Sequence, residues 1–245
     1  WRRPPPDPVI DFLKSRRVRI HGHPLTWGDL NWHYPPWIFD DCCPEEEKRA
    51  LEAAAGCVFP TRGVDEHVGQ RMRRWLQAWE KACRRLYGLS EEDIFRLAPT
   101  YFTKMNEAYA RRVARIAERY GSRVDSWDVV NESSQDYRPS EGAVTGRPIQ
   151  KSVYGFMPGD YAYNAFRWAQ TNLPARAWLN INDFNGGTNF VAQARDLMAH
   201  GAKIDVVGSQ MHLFDPKDAD SIAAGTFGTN EWQRMMAVGC PADIY

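Results

Sequence analysis

Trp127-Asp128-Val129-Val130-Asn131-Glu132-Ser133-Ser134-Gln135 is the stretch that decides the fold, because an apolar strand there turns polar at Asn131 and Glu132. In a parallel (β/α)8 barrel the chemistry sits where strands end, on loops held by a rigid scaffold. A carboxylate leaving such a strand is therefore read as a tool rather than as surface. Glu132 is the candidate general acid/base, and Asp128, at the start of the same run, is read as structural.

Working outward, short apolar strands are expected at Val18 to Gly22, Val124 to Asn131, Ala177 to Asn182, Ile204 to Gln210 and Ala242 to Tyr245. Helical patterns lie between them: Pro8 to Arg16, a long one from Ser90 through Tyr120, Pro158 to Thr171, Asn189 to His200 and Thr229 to Val238. Ser90 ahead of Glu91, Glu92 and Asp93, and Gly201 after His200, are good caps. Strand then helix, repeated, predicts a parallel sheet with right-handed crossovers.

The segment from Asp40 to about Pro99 does not fit that alternation. An acidic helix start at Glu45-Glu46-Glu47, a Gly/Pro-punctuated stretch at Gly56 to Gly63 and a helix from Gln70 to Tyr87 predict a helical insertion at 40–99 inside one domain spanning 1–245. Trp75 and Trp79, four apart, pack this unit onto the barrel or form a sugar-stacking wall, the first being the simpler reading.

Composition bounds the rest. With 245 residues, 43% of them hydrophobic, and 31 basic against 31 acidic side chains, the chain is an ordinary globular protein whose bulk charge gives no reason to expect nucleic acid. Basic clusters such as Arg71-Met72-Arg73-Arg74 fall within amphipathic helical patterns and read as solvated faces. No apolar run approaches the roughly 20 residues of a membrane span. The five cysteines, Cys42, Cys43, Cys57, Cys83 and Cys240, are odd in number and lack zinc-site spacing, so free thiols are expected. The first residues have neither a signal peptide's apolar core nor an initiator methionine, and the chain is expected to be a fragment of a longer parent.

Four stretches carry a resemblance. Val18 to Trp27 (VRIHGHPLTW) resembles the third-strand motif V-R-G-H-T-L-V-W of family 10 glycoside hydrolases, the xylanases, and Trp127 to Glu132 matches that family's W-D-V-V-N-E. Asn180 to Asn185 (NINDFN) is similar to its fifth-strand Y-I-N-D-Y-N, and Ile204 to Leu213 (IDVVGSQMHL) to its sixth-strand I-D-G-I-G-S-Q-S-H-L. Four motifs in order over most of the chain are far more specific than any one of them.

The resemblance implies an incomplete TIM barrel, about strands 3 to 7 of eight, and a retaining glycosidase acting on β-1,4-xylan or a related plant polysaccharide without metal or organic cofactor. His23 and Trp27 would line the subsite of the sugar being cleaved, and Asn131 would bind its 2-hydroxyl. Glu132 would protonate the leaving oxygen, Gln210 and His212 would orient the nucleophile, and Phe184 and Asn185 would border the leaving-group side. Retaining hydrolysis needs two carboxyl groups about 5 to 5.5 Å apart, one donating a proton while the other attacks the anomeric carbon. A monomer that is secreted or periplasmic follows from the family's habit alone.

Departures also matter. The family's second strand is not readable before Val18, and its histidine after the third-strand tryptophan is Gly28 here. Its nucleophile lies in a seventh-strand I-T-E motif, and Gly239-Cys240-Pro241-Ala242-Asp243-Ile244-Tyr245 leads toward that position, so the nucleophile is expected just beyond Tyr245. Glu231 in Thr229-Asn230-Glu231 opens a helix and reads as a helix-start acid.

Two further hypotheses stand beside this one. His21-Gly22-His23 is also the opening ligand pattern of amidohydrolase-type metal barrels, although the fourth and fifth strands end in Asn131-Glu132 and Asn182-Asp183, with no lysine or histidine to bridge or ligate. A sugar-binding remnant that keeps His23, Trp27, Asn131 and Gln210 would bind glycan chains without cleaving them.

Overall fold

A computed structural model describes residues 6–28, 37–60, 70–142, 146–152, 155–210, 229–239 and 241–244, with isolated positions at 217, 220, 223 and 224. Its centre is a parallel sheet. Strands β1 (His21–Gly22) and β2 (Thr26–Trp27) both pair with β3 (Ser126–Asn131). After β3 the antiparallel hairpin β4 (Ile149–Ser152) and β5 (Gly155–Pro158) stands apart, and β6 (Trp178–Asp183), β7 (Val206–Ser209) and β8 (Ala242–Ile244) continue the sheet. The order across it is β1-β3-β6-β7-β8, every pair parallel.

Helix α1 (Asp7–Ser15) precedes the sheet, and α2 (Trp37–Cys42), α3 (Glu45–Ala55), α4 (Gln70–Leu86), α5 (Glu91–Leu97) and α6 (Pro99–Tyr120) lie between β2 and β3. Helices α7 (Tyr161–Asn172), α8 (Thr188–Ala199) and α9 (Thr229–Met236) follow β5, β6 and β7. Parallel neighbours need such crossovers, and the continuous burial of Trp127 through Asn131 and of Leu179 through Asp183 is what a sheet covered on both faces requires.

Three expectations need correction. The strand expected over Val18 to Gly22 begins only at His21 and is split from β2, because Pro24 has no N–H for a ladder; Leu25 N donates instead to the Asp128 carbonyl at 2.9 Å. The single helix expected from Ser90 through Tyr120 breaks at Ala98 (φ −147, ψ 56), which Pro99 forces out of helical conformation. The helix expected from Pro158 starts at Tyr161, since Gly155 to Pro158 is taken by the second arm of the unforeseen hairpin.

Two tight fits fix the edge of the sheet. A Cβ on Gly22 would lie 2.3 Å from the Trp127 ring, so only glycine lets the rim of β1 close on β3. Helix α6 begins without a side-chain cap of its own, and Glu47 from α3 fills that role. Its two oxygens accept from Thr100 N and Tyr101 N, both at 2.9 Å. Trp75 and Trp79 are stacked (5.6 Å, interplanar 6°), each is more than nine-tenths buried, and Trp79 also meets the Phe39 and Phe59 rings. They belong to the helical core and not to a sugar-facing wall. Cys42, Cys43, Cys57 and Cys83 are free thiols, and Cys240 lies outside the described residues.

Candidate active site

The carboxyl ends of the parallel strands form one rim. Register pairs Trp27 with Asn131, Asn131 with Asn182, Asp183 with Ser209 and Ser209 with Ile244, so the residues just past these positions emerge at a common level. Glu132 is the first residue beyond β3. Its backbone is left-handed (φ 54), uncommon for a residue with a side chain and held by a 2.9 Å bond from its N–H to the Asn182 carbonyl. Strain of this kind persists where the surroundings over-determine it, and here it turns the carboxylate out of the strand direction.

Gln210, the first residue beyond β7, reaches across. Its Nε2 lies 2.9 Å from Glu132 Oε1, 2.9 Å from Asn182 Oδ1 and 3.1 Å from Asn131 Oδ1. An amide nitrogen has two hydrogens for those three acceptors, so the bonds are shared and the group is drawn into one cluster. Asn131 is fully buried, and its Nδ2 has no partner among the described residues. Asp183, also fully buried, accepts from Ser134 N (3.1 Å) and Asn185 N (3.0 Å), locking the loops after β3 and β6 together. Burial, with the Glu132 charge adding to it, outweighs those N–H bonds and pushes the Asp183 carboxyl above its ordinary range.

His23 and Trp27 meet edge to face with ring centroids 6.1 Å apart, and the His23 side chain is 45% exposed. Trp27 also walls a cavity of about 270 Å³ together with Trp37, Tyr109 and Arg112. Phe184 and Asn185 are exposed immediately past β6. His212 lies outside the described residues. Of the residues singled out in the sequence, Glu132, Asn131 and Gln210 are in direct contact, His23 and Trp27 stand on the neighbouring β1–β2 edge, and Phe184 and Asn185 border the rim at β6.

Supporting residues escaped the sequence reading. Asp128, structural by its sequence, has its Oδ2 bonded by both His21 Nε2 (2.9 Å) and His23 Nδ1 (2.7 Å). Burial raises this carboxyl and the two imidazole bonds lower it, with a net shift below its ordinary range. The signal was available, since residues two apart on a strand share a face and His21 and His23 are so spaced. Both rings are thus engaged with one carboxylate oxygen, and among the described residues no group of three or more His, Cys, Asp or Glu could hold a metal ion.

Asp136 likewise had no assigned role. It accepts from Tyr161 Oη at 2.8 Å and Ser152 Oγ at 2.9 Å, tying the loop after β3 to the hairpin. A Cβ on Gly28 would stand 3.0 Å from Tyr161 Oη and 3.1 Å from Asp136 Oδ2, so this cluster occupies the space a larger residue would need there.

Comparison with known proteins bears on the family and the fold. Residues 91–237, more than half of the chain, match the profile of Glycosyl hydrolase family 10. Endo-1,4-beta-xylanase A of Halalkalibacterium halodurans is 32% identical over 219 residues, 87% of this chain and 42% of that protein. Endo-1,4-beta-xylanase A of Cellvibrio japonicus is 36% identical over 126 residues, 47% of this chain and 20% of its own length. The chain thus spans less than half the length of these relatives. Among solved structures, xylanase B from Clostridium stercorarium F9 superposes with a TM-score of 0.54 at 20% identity, covering 96% of this chain and 55% of that one. Native xylanase 10B from Thermotoga maritima gives 0.53 at 19%, covering 98% and 53%. The parallel sheet and its helices are therefore an incomplete (β/α)8 barrel, and the chain belongs to glycosyl hydrolase family 10.

Proposed function

We propose that the protein of which this chain is part is a retaining glycoside hydrolase that cleaves β-1,4-xylan or a related plant polysaccharide, with Glu132 as its general acid/base. The observation that carries the reading is the Glu132 carboxylate at the carboxyl end of β3, held at 2.9 Å by the Gln210 amide from β7. Glu132 delivers a proton to the departing glycosidic oxygen in the first step and takes one from water in the second.

The other residues divide the substrate between them. His23 and Trp27 line the sugar undergoing cleavage, the Asn131 amide serves its 2-hydroxyl, and Phe184 with Asn185 borders the leaving-group side. Gln210, with His212, steadies the attacking carboxylate, which this reading assigns to the segment after Tyr245, following β8. No metal or organic cofactor is invoked. Family resemblance makes the parent secreted or periplasmic, acting on a polymer too large to enter a cell. No helix among the described residues is long and apolar enough to cross a membrane.

The test is reducing-sugar release from xylan by the parent polypeptide and by the 245-residue chain, each beside Glu132→Gln. Release by the parent that is lost in the variant is expected. A folded parent that binds xylan without releasing sugar would replace this reading with a glycan-binding one.

A further inference from the structure

We propose that Gln193 of α8 is a positioning residue for Glu132: its amide grips Ser133, the residue that follows Glu132, and so holds the acid/base carboxylate in the left-handed turn that carries it out of β3. The proposal rests on the reading of Glu132 as the general acid.

A residue with a side chain stays in the left-handed region only where its surroundings hold it there. Glu132 (φ 54) is held on its amino side by the 2.9 Å bond from its own N–H to the Asn182 carbonyl. On its carboxyl side the hold comes from α8. Ser133 Oγ donates to Gln193 Oε1 at 2.9 Å, and Gln193 Nε2 approaches the Ser133 carbonyl at 3.5 Å, where Asp136 N also donates at 3.1 Å. The hydroxyl bond is the stronger part of the grip. One turn earlier on the same face of the helix, Asn189 Nδ2 bonds the Ser134 carbonyl and lies 3.0 Å from the Tyr137 carbonyl. Two amides of one helix thus take hold of the two residues after Glu132.

The grip is stiff because its anchor is. Ser133 and Gln193 are 1% and 3% exposed, and the buried Phe190, Ala194 and Leu197 seat α8 in the core. A buried amide is costly unless bonded, and both ends of the Gln193 amide face Ser133. Gln193 therefore reaches the chemistry only through Ser133. With the grip lost, the turn at Glu132 relaxes toward ordinary backbone and the carboxylate leaves its place beside Gln210; a misplacement of about 1 Å is worth up to about 10²-fold in rate. The loss falls on proton delivery. It is read in the leaving group, because an oxygen that needs the proton suffers and an activated one does not.

The experiment measures kcat/KM of the parent polypeptide on two aryl xylosides, one releasing a weakly acidic phenol and the other a strongly acidic one. Gln193→Met keeps the length of the side chain without its amide. It is expected to lower kcat/KM by roughly 10- to 100-fold on the first substrate and by less than about 3-fold on the second. Ser133→Ala, which removes the hydroxyl and adds no bulk, moves the ratio of the two the same way, and the double variant is no worse than Gln193→Met alone. Should Gln193→Met fail to fold, Ser133→Ala decides by itself. Equal losses on both substrates in a folded variant, or no loss on either, overturns the proposal. Glu132→Gln run alongside separates the two readings: a steep leaving-group dependence there beside none in Gln193→Met sinks this proposal alone, whereas none in Glu132→Gln sinks the acid/base reading and this proposal with it.

Discussion

Gln210 Nε2 lies 2.9 Å from Glu132 Oε1, a bond that joins the ends of two strands separated in the sheet by β6. It bonds Asn182 and Asn131 as well, so its loss releases the whole cluster. Gln210→Leu is expected to lower kcat/KM on xylan by roughly 10- to 150-fold, the equivalent of about 1.5–3 kcal/mol for a hydrogen bond to a charged group. Steady-state kinetics checks this, with circular dichroism confirming an unchanged fold.

Glu47 tests the helical unit between β2 and β3. Replacing it with alanine leaves the Thr100 and Tyr101 N–H groups at the start of α6 without their acceptors. The expected cost is about 1–3 kcal/mol, a fall in melting temperature of roughly 2–12 °C for a chain of this size. A calorimetric scan of Glu47→Ala measures it, and an unchanged midpoint would mean that the cap is idle.

Asp7 sets an acid limb. Arg123 and Arg119 hold its carboxyl down at about 2, from an ordinary value of 3.8. A folded value below the unfolded one means that its contribution is fully present above about pH 4 and is lost as pH falls toward 2. Melting temperature followed from pH 5 to pH 2 is therefore expected to fall less steeply in Asp7→Asn than in the native sequence; parallel curves would remove Asp7 from that role.

Gly22 tests the closeness of β1 to β3. Gly22→Ala places a methyl group where the Trp127 ring now lies, 2.3 Å away, and overpacking of this kind costs about 1–3 kcal/mol or more. Urea unfolding followed by tryptophan fluorescence is expected to shift to lower denaturant. An unshifted midpoint would show that β1 tolerates displacement.

Much of this architecture was legible because the parallel strands are apolar runs that turn polar at their ends. Trp127 to Glu132 and Ala177 to Asn182 could be read from that change alone. What escaped depended on partners distant in sequence. Nothing local to Ile149–Pro158 distinguishes a hairpin from the approach to a helix, and Pro99 was passed over inside a strongly helical pattern. In the site, the carboxylate that emerges from the strand was readable, whereas Asp128, Asp136 and Asp183 take partners far along the chain, His21 at 107 positions, Tyr161 at 25 and Ser134 at 49. A buried aspartate's purpose is set by whichever donors the fold brings to it. The four motifs located the rim; the contacts across it needed coordinates.

Glu132 as the general acid is tested by comparing Glu132→Gln with the native parent on two substrates. One is xylan, whose leaving group needs a proton; the other is an aryl xyloside whose activated leaving group does not. Turnover of xylan is expected to fall by about 10²- to 10⁴-fold, with a much smaller loss in the first, bond-breaking step on the aryl substrate. Unchanged turnover of xylan in a folded Glu132→Gln protein would contradict the assignment.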